Sequence, residues 1–274
     1  MPFIDVNETR LYYEDTGPGL TGQTIAFSHG LLWNTDLFAP QVAALRSRYR
    51  CISWDHRGQG RSAPDRRHTI GIELVWQDAV ALLSALAPGP VHFCGLSMGG
   101  FVGMRLAARR PALLRSLILL ETSADPEPPE NVGRYLLLTR ATRLLGPAAV
   151  ASRVMPILFG KTFVNDPSRR HEQQNFKEIM GRRRDIWRAV NGVIDRAGVY
   201  DELPLIEAPT LIVVGEEDVA TVPAKSERIQ QKIAGSTLVR IPRAGHSSSV
   251  EEPAAVTAAI DRFLRSLAAP EAHE

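Results

Sequence analysis

Gly95-Leu96-Ser97-Met98-Gly99-Gly100 decides the reading of this chain. It follows an apolar run, Val91 to Cys94, and opens a helical pattern, Phe101 to Arg109. Strand, sharp turn and helix form the context in which a Gly-x-Ser-x-Gly turn lifts a serine hydroxyl above a sheet. The glycines have a physical reason. A turn this tight presses neighbouring backbone together, and side chains two residues either side of Ser97 would clash. The same turn aims the Met98 amide and a helix N-terminus at the hydroxyl, where negative charge would be favoured. On composition alone the bare pattern would occur in about one chain in ten of this length, taking roughly 7% for each residue. Its context carries the weight.

Outward from the turn, short apolar runs alternate with helical patterns. Leu11 to Tyr13, Thr24 to Phe27, Cys51 to Trp54, Leu117 to Leu120, Thr210 to Val214 and Thr237 to Ile241 read as further strands. Most are apolar on both faces, as in a parallel sheet covered on both sides. Leu74 to Leu86 carries Val75, Ala79, Leu82 and Leu86 at helical spacing, and Pro88-Gly89-Pro90 ends it. Ala254 to Leu267 does the same with Val256, Ile260, Phe263 and Leu267. This alternation predicts an α/β fold with a mostly parallel sheet. Between Leu120 and Thr210 the rhythm breaks. The interval opens on Asp125-Pro126-Glu127-Pro128-Pro129 and continues with helical patterns at Tyr135 to Leu145 and His171 to Ala197. Residues 125–205 are read as a helical cap insert on a core formed by residues 1–124 and 206–274.

A serine hydroxyl needs a base to become nucleophilic. Three histidines follow Ser97: His171 in the insert, His273 in the tail, and His246 in Gly245-His246-Ser247, just after the last strand. Ligand chemistry in open α/β sheets gathers at the carboxyl ends of strands, so His246 is the candidate base. The acid should also end a strand. Asp218, after Thr210 to Val214, is the choice, with Glu217 and Glu121 as neighbours able to take that role. It would fix the imidazole tautomer and stabilise the imidazolium. Leu31, in the loop after Thr24 to Phe27, pairs by position with Met98 as a second oxyanion donor. His29 precedes Ser97 and is read as a brace for this loop. Asp55-His56-Arg57-Gly58-Gln59-Gly60-Arg61-Ser62 lacks phosphate-loop spacing, and Asp55 and Arg57 are read as pins for the turn. Leu32, Trp33 and Phe101 would make the pocket apolar, and Phe159 and Trp187 would close it from the insert. Arg182-Arg183-Arg184 is the densest basic cluster of the insert. It reads as a solvated face, unless an arginine of the insert reaches the pocket to meet a substrate carboxylate.

Composition excludes other classes. The 274 residues are 44% apolar and 23% charged, ordinary for a globular protein. Lys and Arg number 32 against 30 Asp and Glu, so a net +2 supplies no case for nucleic acid or an anionic membrane as partner. No window approaches 18 uninterrupted apolar residues, and no basic-then-apolar leader opens the chain. Cys51 and Cys94 lie in apolar runs and read as buried free thiols. A cytoplasmic protein is expected. His56 and His68 lack paired ligands, so no metal is inferred.

Together His29-Gly30, the Asp55 to Ser62 loop, the Gly95 to Gly100 turn, Asp218 and Gly245-His246 resemble the α/β-hydrolase family over nearly the whole chain. The resemblance implies an eight-stranded, mostly parallel sheet with a helical cap after the sixth strand. It also implies a cofactor-free serine hydrolase acting on a small molecule. Ser97, Asp218 and His246 fall at the family's triad positions, with the Leu31 and Met98 amides at its oxyanion hole. His92 to Gly100, Asp218-Val219-Ala220-Thr221-Val222-Pro223 and His246 to Pro253 are similar to 3-oxoadipate enol-lactonases and neighbouring esterases. Ser28-His29-Gly30-Leu31 has the form usual in simple carboxylesterases and perhydrolases. Haloalkane dehalogenases and epoxide hydrolases place an aspartate at the elbow, which Ser97 does not match. The expected substrate is a carboxylic ester or lactone. The alternatives are a carboxylated dienone cleaved at a carbon–carbon bond, or a ligand held without turnover.

Overall fold

The structure, a computed structural model, describes residues 2–181 and 185–267. Eight strands form one sheet: β1 (Phe3–Val6), β2 (Thr9–Asp15), β3 (Thr24–Ser28), β4 (Arg50–Trp54), β5 (Val91–Leu96), β6 (Leu114–Leu120), β7 (Thr210–Gly215) and β8 (Thr237–Ile241). Their order is β1-β2-β4-β3-β5-β6-β7-β8. The β1–β2 and β2–β4 pairs are antiparallel and the rest are parallel. The mostly parallel sheet expected from the alternation is therefore present. The residue-by-residue reading missed β1. Asn7 and Glu8 both have positive φ, 45° and 58°, the backbone of a two-residue hairpin turn, but neither is the glycine that marks such turns in a sequence.

Burial follows the topology. Every residue of β3, β5 and β7 is buried, whereas β1 and β2 alternate or lie partly open. Helices α2 (Ile72–Leu86) and α3 (Met98–Arg109) pack one apolar cluster with Ile52, Trp54, Phe93 and Leu117. Helices α1 (Ala39–Leu45) and α11 (Pro253–Ser266) belong to a second, with Phe27, Cys94, Ile118 and Val213. The buried stripe of α11 is Val256, Ile260 and Leu264, one position off the expected Phe263. Cys51 and Cys94 are buried free thiols, and burial pushes Cys51 up to about 12.

Between β6 and β7 lie α4 (Pro129–Leu145), α5 (Ala151–Leu158), α6 (Lys161–Asn165), α7 (Arg170–Gly181) and α8 (Trp187–Ile194). The single helical pattern expected from His171 to Ala197 is thus split into α7 and α8. The Arg182-Arg183-Arg184 cluster and His273 lie outside the described residues. Helix α9 (Pro223–Gln230) links β7 to β8, and α10 (Ser248–Glu251) precedes α11. The chain steps outward from β3 to β4, then returns past β3 to β5. That reversal opens a crevice at the carboxyl ends of β3 and β5, where open α/β sheets bind ligands.

Candidate active site

Ser97 occupies the turn between β5 and α3 with φ 53° and ψ −109°. This region is unfavourable for a serine by about 1–3 kcal/mol, and the surroundings over-determine it. The Ser97 amide donates to the Leu120 carbonyl at 2.9 Å, and its carbonyl accepts from the Phe101 amide at 3.0 Å and the Thr122 hydroxyl at 2.9 Å. A Cβ on Gly95 would collide with the Gly99 carbonyl, and one on Gly99 with the Ser28 carbonyl. The spacing of the glycines is the spacing of these two backbone contacts.

His246 and Asp218 meet this serine. His246 Nε2 lies 2.8 Å from Ser97 Oγ, and His246 Nδ1 lies 2.9 Å from Asp218 Oδ2. All three residues are buried. Burial pushes the Asp218 carboxyl up, but the facing imidazole and the Thr221 amide and hydroxyl outweigh it and hold it below the usual carboxylate range. The Ala220 and Thr221 amides donate to Asp218 Oδ1 at 2.8 and 3.1 Å, and the Thr221 hydroxyl to Oδ2 at 2.8 Å. With Asp218 ionised, Nδ1–H is its donor. The Nε2 lone pair then faces the Ser97 hydroxyl.

The other carboxylates are engaged elsewhere. Glu217 accepts from the Thr162 amide and hydroxyl at 2.8 and 2.7 Å, at the start of α6. Glu121 accepts the Gly215 amide at 3.0 Å, and burial holds it well above the carboxylate range. His171 is exposed in α7, 3.3 Å from the Asn175 amide group. His29 Nε2 accepts the His56 amide at 2.9 Å, so its Nδ1–H donates to the Gly30 carbonyl at 2.7 Å. Burial lowers its pKa, which keeps the ring a neutral brace. Arg57, fully buried, bonds Asp78, Asp65 and the Asn7 carbonyl, and Asp55 binds the Thr35 and Arg61 amides. Both act within the loop framework. Among the described residues no three His, Cys, Asp or Glu side chains form a group able to hold a metal ion. Nor is any described helix long and apolar enough to cross a membrane.

Leu31, Leu32, Trp33, Phe101 and Trp187 all line the cavity that contains Ser97 and His246. Met98 is buried at the first position of α3. Phe159 is not on that wall. It stacks on Phe163 with centroids 4.5 Å apart and packs edge-on against Trp33 and Phe176. The aromatic cluster holds it behind Trp33, so its expected place at the pocket is corrected.

Sequence reasoning missed several groups. Gln59 places its carbonyl 3.2 Å from the Leu32 amide and its amide group 3.6 Å from Met98 Sδ, joining the two loops beside Ser97. Asp218 accepts the Ala220 amide two residues on, the spacing of an Asx-turn, and Thr221 is the next residue along. Glu251 accepts from the Gly245 and Ser247 amides, each at 3.0 Å, on either side of His246. Its other oxygen takes the Gly160 amide at 2.7 Å. Burial pushes Glu251 up to about 7 against the pull of these three donors. Glu127 and Arg196 also line the cavity, and no local pattern announced them.

Known proteins resemble this arrangement along most of the chain. A thermophilic esterase from Thermogutta terrifontis superposes with a TM-score of 0.88 at 29% identity, over 97% of this chain and 99% of that one. The enol-lactonase of Burkholderia xenovorans LB400 gives 0.87 at 29% identity, over 96% and 100%. The protein named "Putative carbamate hydrolase RutD" in Caulobacter sp. (strain K31) is 30% identical over 94% of this chain and 97% of its own length. The profile of the alpha/beta hydrolase family matches residues 25–260. With strand order, serine turn and profile in agreement, the chain belongs to the alpha/beta hydrolase family.

Proposed function

We propose that the protein is a serine hydrolase of carboxylic esters or lactones, working through an acyl-enzyme on Ser97. One observation carries this reading: the unbroken line from Ser97 Oγ through His246 Nε2 and Nδ1 to Asp218 Oδ2, with steps of 2.8 and 2.9 Å. His246 takes the hydroxyl proton as Ser97 Oγ bonds to the carbonyl carbon. The oxyanion rests on the Leu31 and Met98 amides, a donor of this kind contributing about 3–4 kcal/mol. Collapse breaks the acyl–oxygen bond, and His246 returns the proton to the leaving alkoxide. Water, deprotonated by the same histidine, attacks the acyl-enzyme and frees acid and serine. The helices between β6 and β7 serve as a cap, covering residues 125–205 of the chain, and supply part of the pocket wall.

A fluorophosphonate probe followed by peptide mapping tests the nucleophile, with label expected on Ser97. Ser97→Ala should lower kcat on p-nitrophenyl hexanoate at least about 10⁴-fold with an unchanged Tm. Label on another residue, or turnover surviving the substitution, overturns the mechanism. A panel of esters, lactones and carbamates of graded size checks the bond cleaved. Carbamates turned over faster than every ester and lactone would displace the proposed substrate class, and saturable binding without turnover would favour a receptor.

A further inference from the structure

The cavity wall beside Ser97 is mostly apolar, with Tyr135, Thr139, Thr142 and Thr221 as its uncharged polar side chains besides the serine and His246. Among the described residues, its charged side chains are Glu127, just before α4, and Arg196, just after α8. They face each other across 2.7 Å and are buried, with side chains 8% and 4% exposed. The guanidinium is satisfied further by the Val193 and Asp125 carbonyls at 2.8 and 3.2 Å. The second Glu127 oxygen accepts from Asn131 at 2.9 Å. The same guanidinium lies 4.4 Å above the Phe101 ring, and Phe101 is one helical turn past Ser97. A cation therefore lines the same cavity as the reacting serine, but its charge is already matched.

Resting on the serine-hydrolase reading, we propose that Glu127 is a specificity residue. By neutralising Arg196 it makes the site select esters or lactones with uncharged, apolar substituents and reject those bearing a carboxylate. A carboxylated substrate would leave water for a mostly apolar wall and meet Glu127 next to Arg196, the cation that lines the cavity among the described residues. Burying a charge without a free partner is costly. This also turns away the carboxylated dienone, which needs an unpaired arginine.

Two esters of equal chain length read the effect: p-nitrophenyl hexanoate, and the mono-p-nitrophenyl ester of adipate, whose far end is a carboxylate. The wild-type chain should favour the hexanoate in kcat/KM by on the order of a hundredfold. Glu127→Gln frees Arg196 and should raise the ratio of kcat/KM for the adipate ester over that for the hexanoate at least about tenfold. Glu127→Gln combined with Arg196→Gln leaves no unpaired charge and should return the adipate ester to its low rate. That double variant, and the wild-type ratio itself, keep the test decisive if the single variant folds poorly. A wild-type ratio near one or favouring adipate, a ratio unmoved in Glu127→Gln, or a double variant that keeps a raised adipate rate, overturns the proposal. Absence of both Ser97 labelling and turnover of either ester overturns the serine-hydrolase reading and this one with it.

Discussion

Ser97 is fixed by backbone. Its turn is pinned by the Leu120 carbonyl, and Gly95 and Gly99 stand where a single added carbon would strike a carbonyl oxygen. The same cavity is also lined by Leu138, Ile157 and Val190, side chains carried by the helices between β6 and β7. The carboxyl ends of the strands are therefore exacting and the helical wall is adaptable. A protein built this way can keep one chemistry while its substrate preference drifts. The comparison can be broken by making equivalent changes on the two sides and finding equal consequences.

Gly99→Ala should produce the largest change. The new Cβ would overlap the Ser28 carbonyl, a backbone atom of β3 that the sheet prevents from moving. Overpacking of this kind typically costs about 1–3 kcal/mol. With backbone rather than a flexible side chain as the obstacle, the upper end, about 3 kcal/mol, is expected. Urea unfolding would read the loss. Hydrolysis should fall further than stability, because the shift displaces the Leu31 loop relative to Ser97. A Gly99→Ala variant of ordinary stability and activity would mean that the turn is far less constrained than its contacts imply.

The same division explains what could be read from the sequence. Ser97, Asp218 and His246 were legible because each ends a strand, and strand ends are marked by local apolar runs. The Glu127–Arg196 pair was not, since its partners are 69 residues apart in sequence and meet only once α4 and α8 have folded. Phe159 failed for a related reason. Its composition suits a pocket wall, but Phe163 and Phe176 offered it a drier place. β1 was lost to a hairpin turn built from Asn7 and Glu8 rather than glycine.

Glu251 joins the two regions, since one oxygen holds the amides flanking His246 and the other holds Gly160 between α5 and α6. Its pKa is raised in the fold from the ordinary 4.5 to about 7. Between those values the folded state binds a proton that the unfolded chain does not. The stability linked to this group is thus complete below about 4.5, declines as pH rises, and is lost above about 7. The span corresponds to about 3 kcal/mol as an order of magnitude. Glu251→Gln cannot titrate, so the difference in unfolding free energy between the two proteins should change across this window and flatten outside it. Parallel curves from roughly pH 4 to 8, the range that brackets the transition, would remove Glu251 as the titrating joint.

The smallest expected effect has the opposite sign and completes the comparison. Gly133 lies inside α4, and a Cβ added there meets nothing within 4 Å. Alanine at an unstrained helical position lowers the entropy of the unfolded chain and suits the helix, typically by about 0.4–1 kcal/mol. Gly133→Ala should therefore raise Tm by roughly 2–4 °C at most, with the rate on p-nitrophenyl hexanoate unchanged. One added methyl group would then unsettle the molecule at position 99 and steady it at position 133. A Gly133→Ala protein destabilised as much as Gly99→Ala would mean that α4 is packed as tightly as the serine turn. The helical wall could then not be the adaptable side of the pocket.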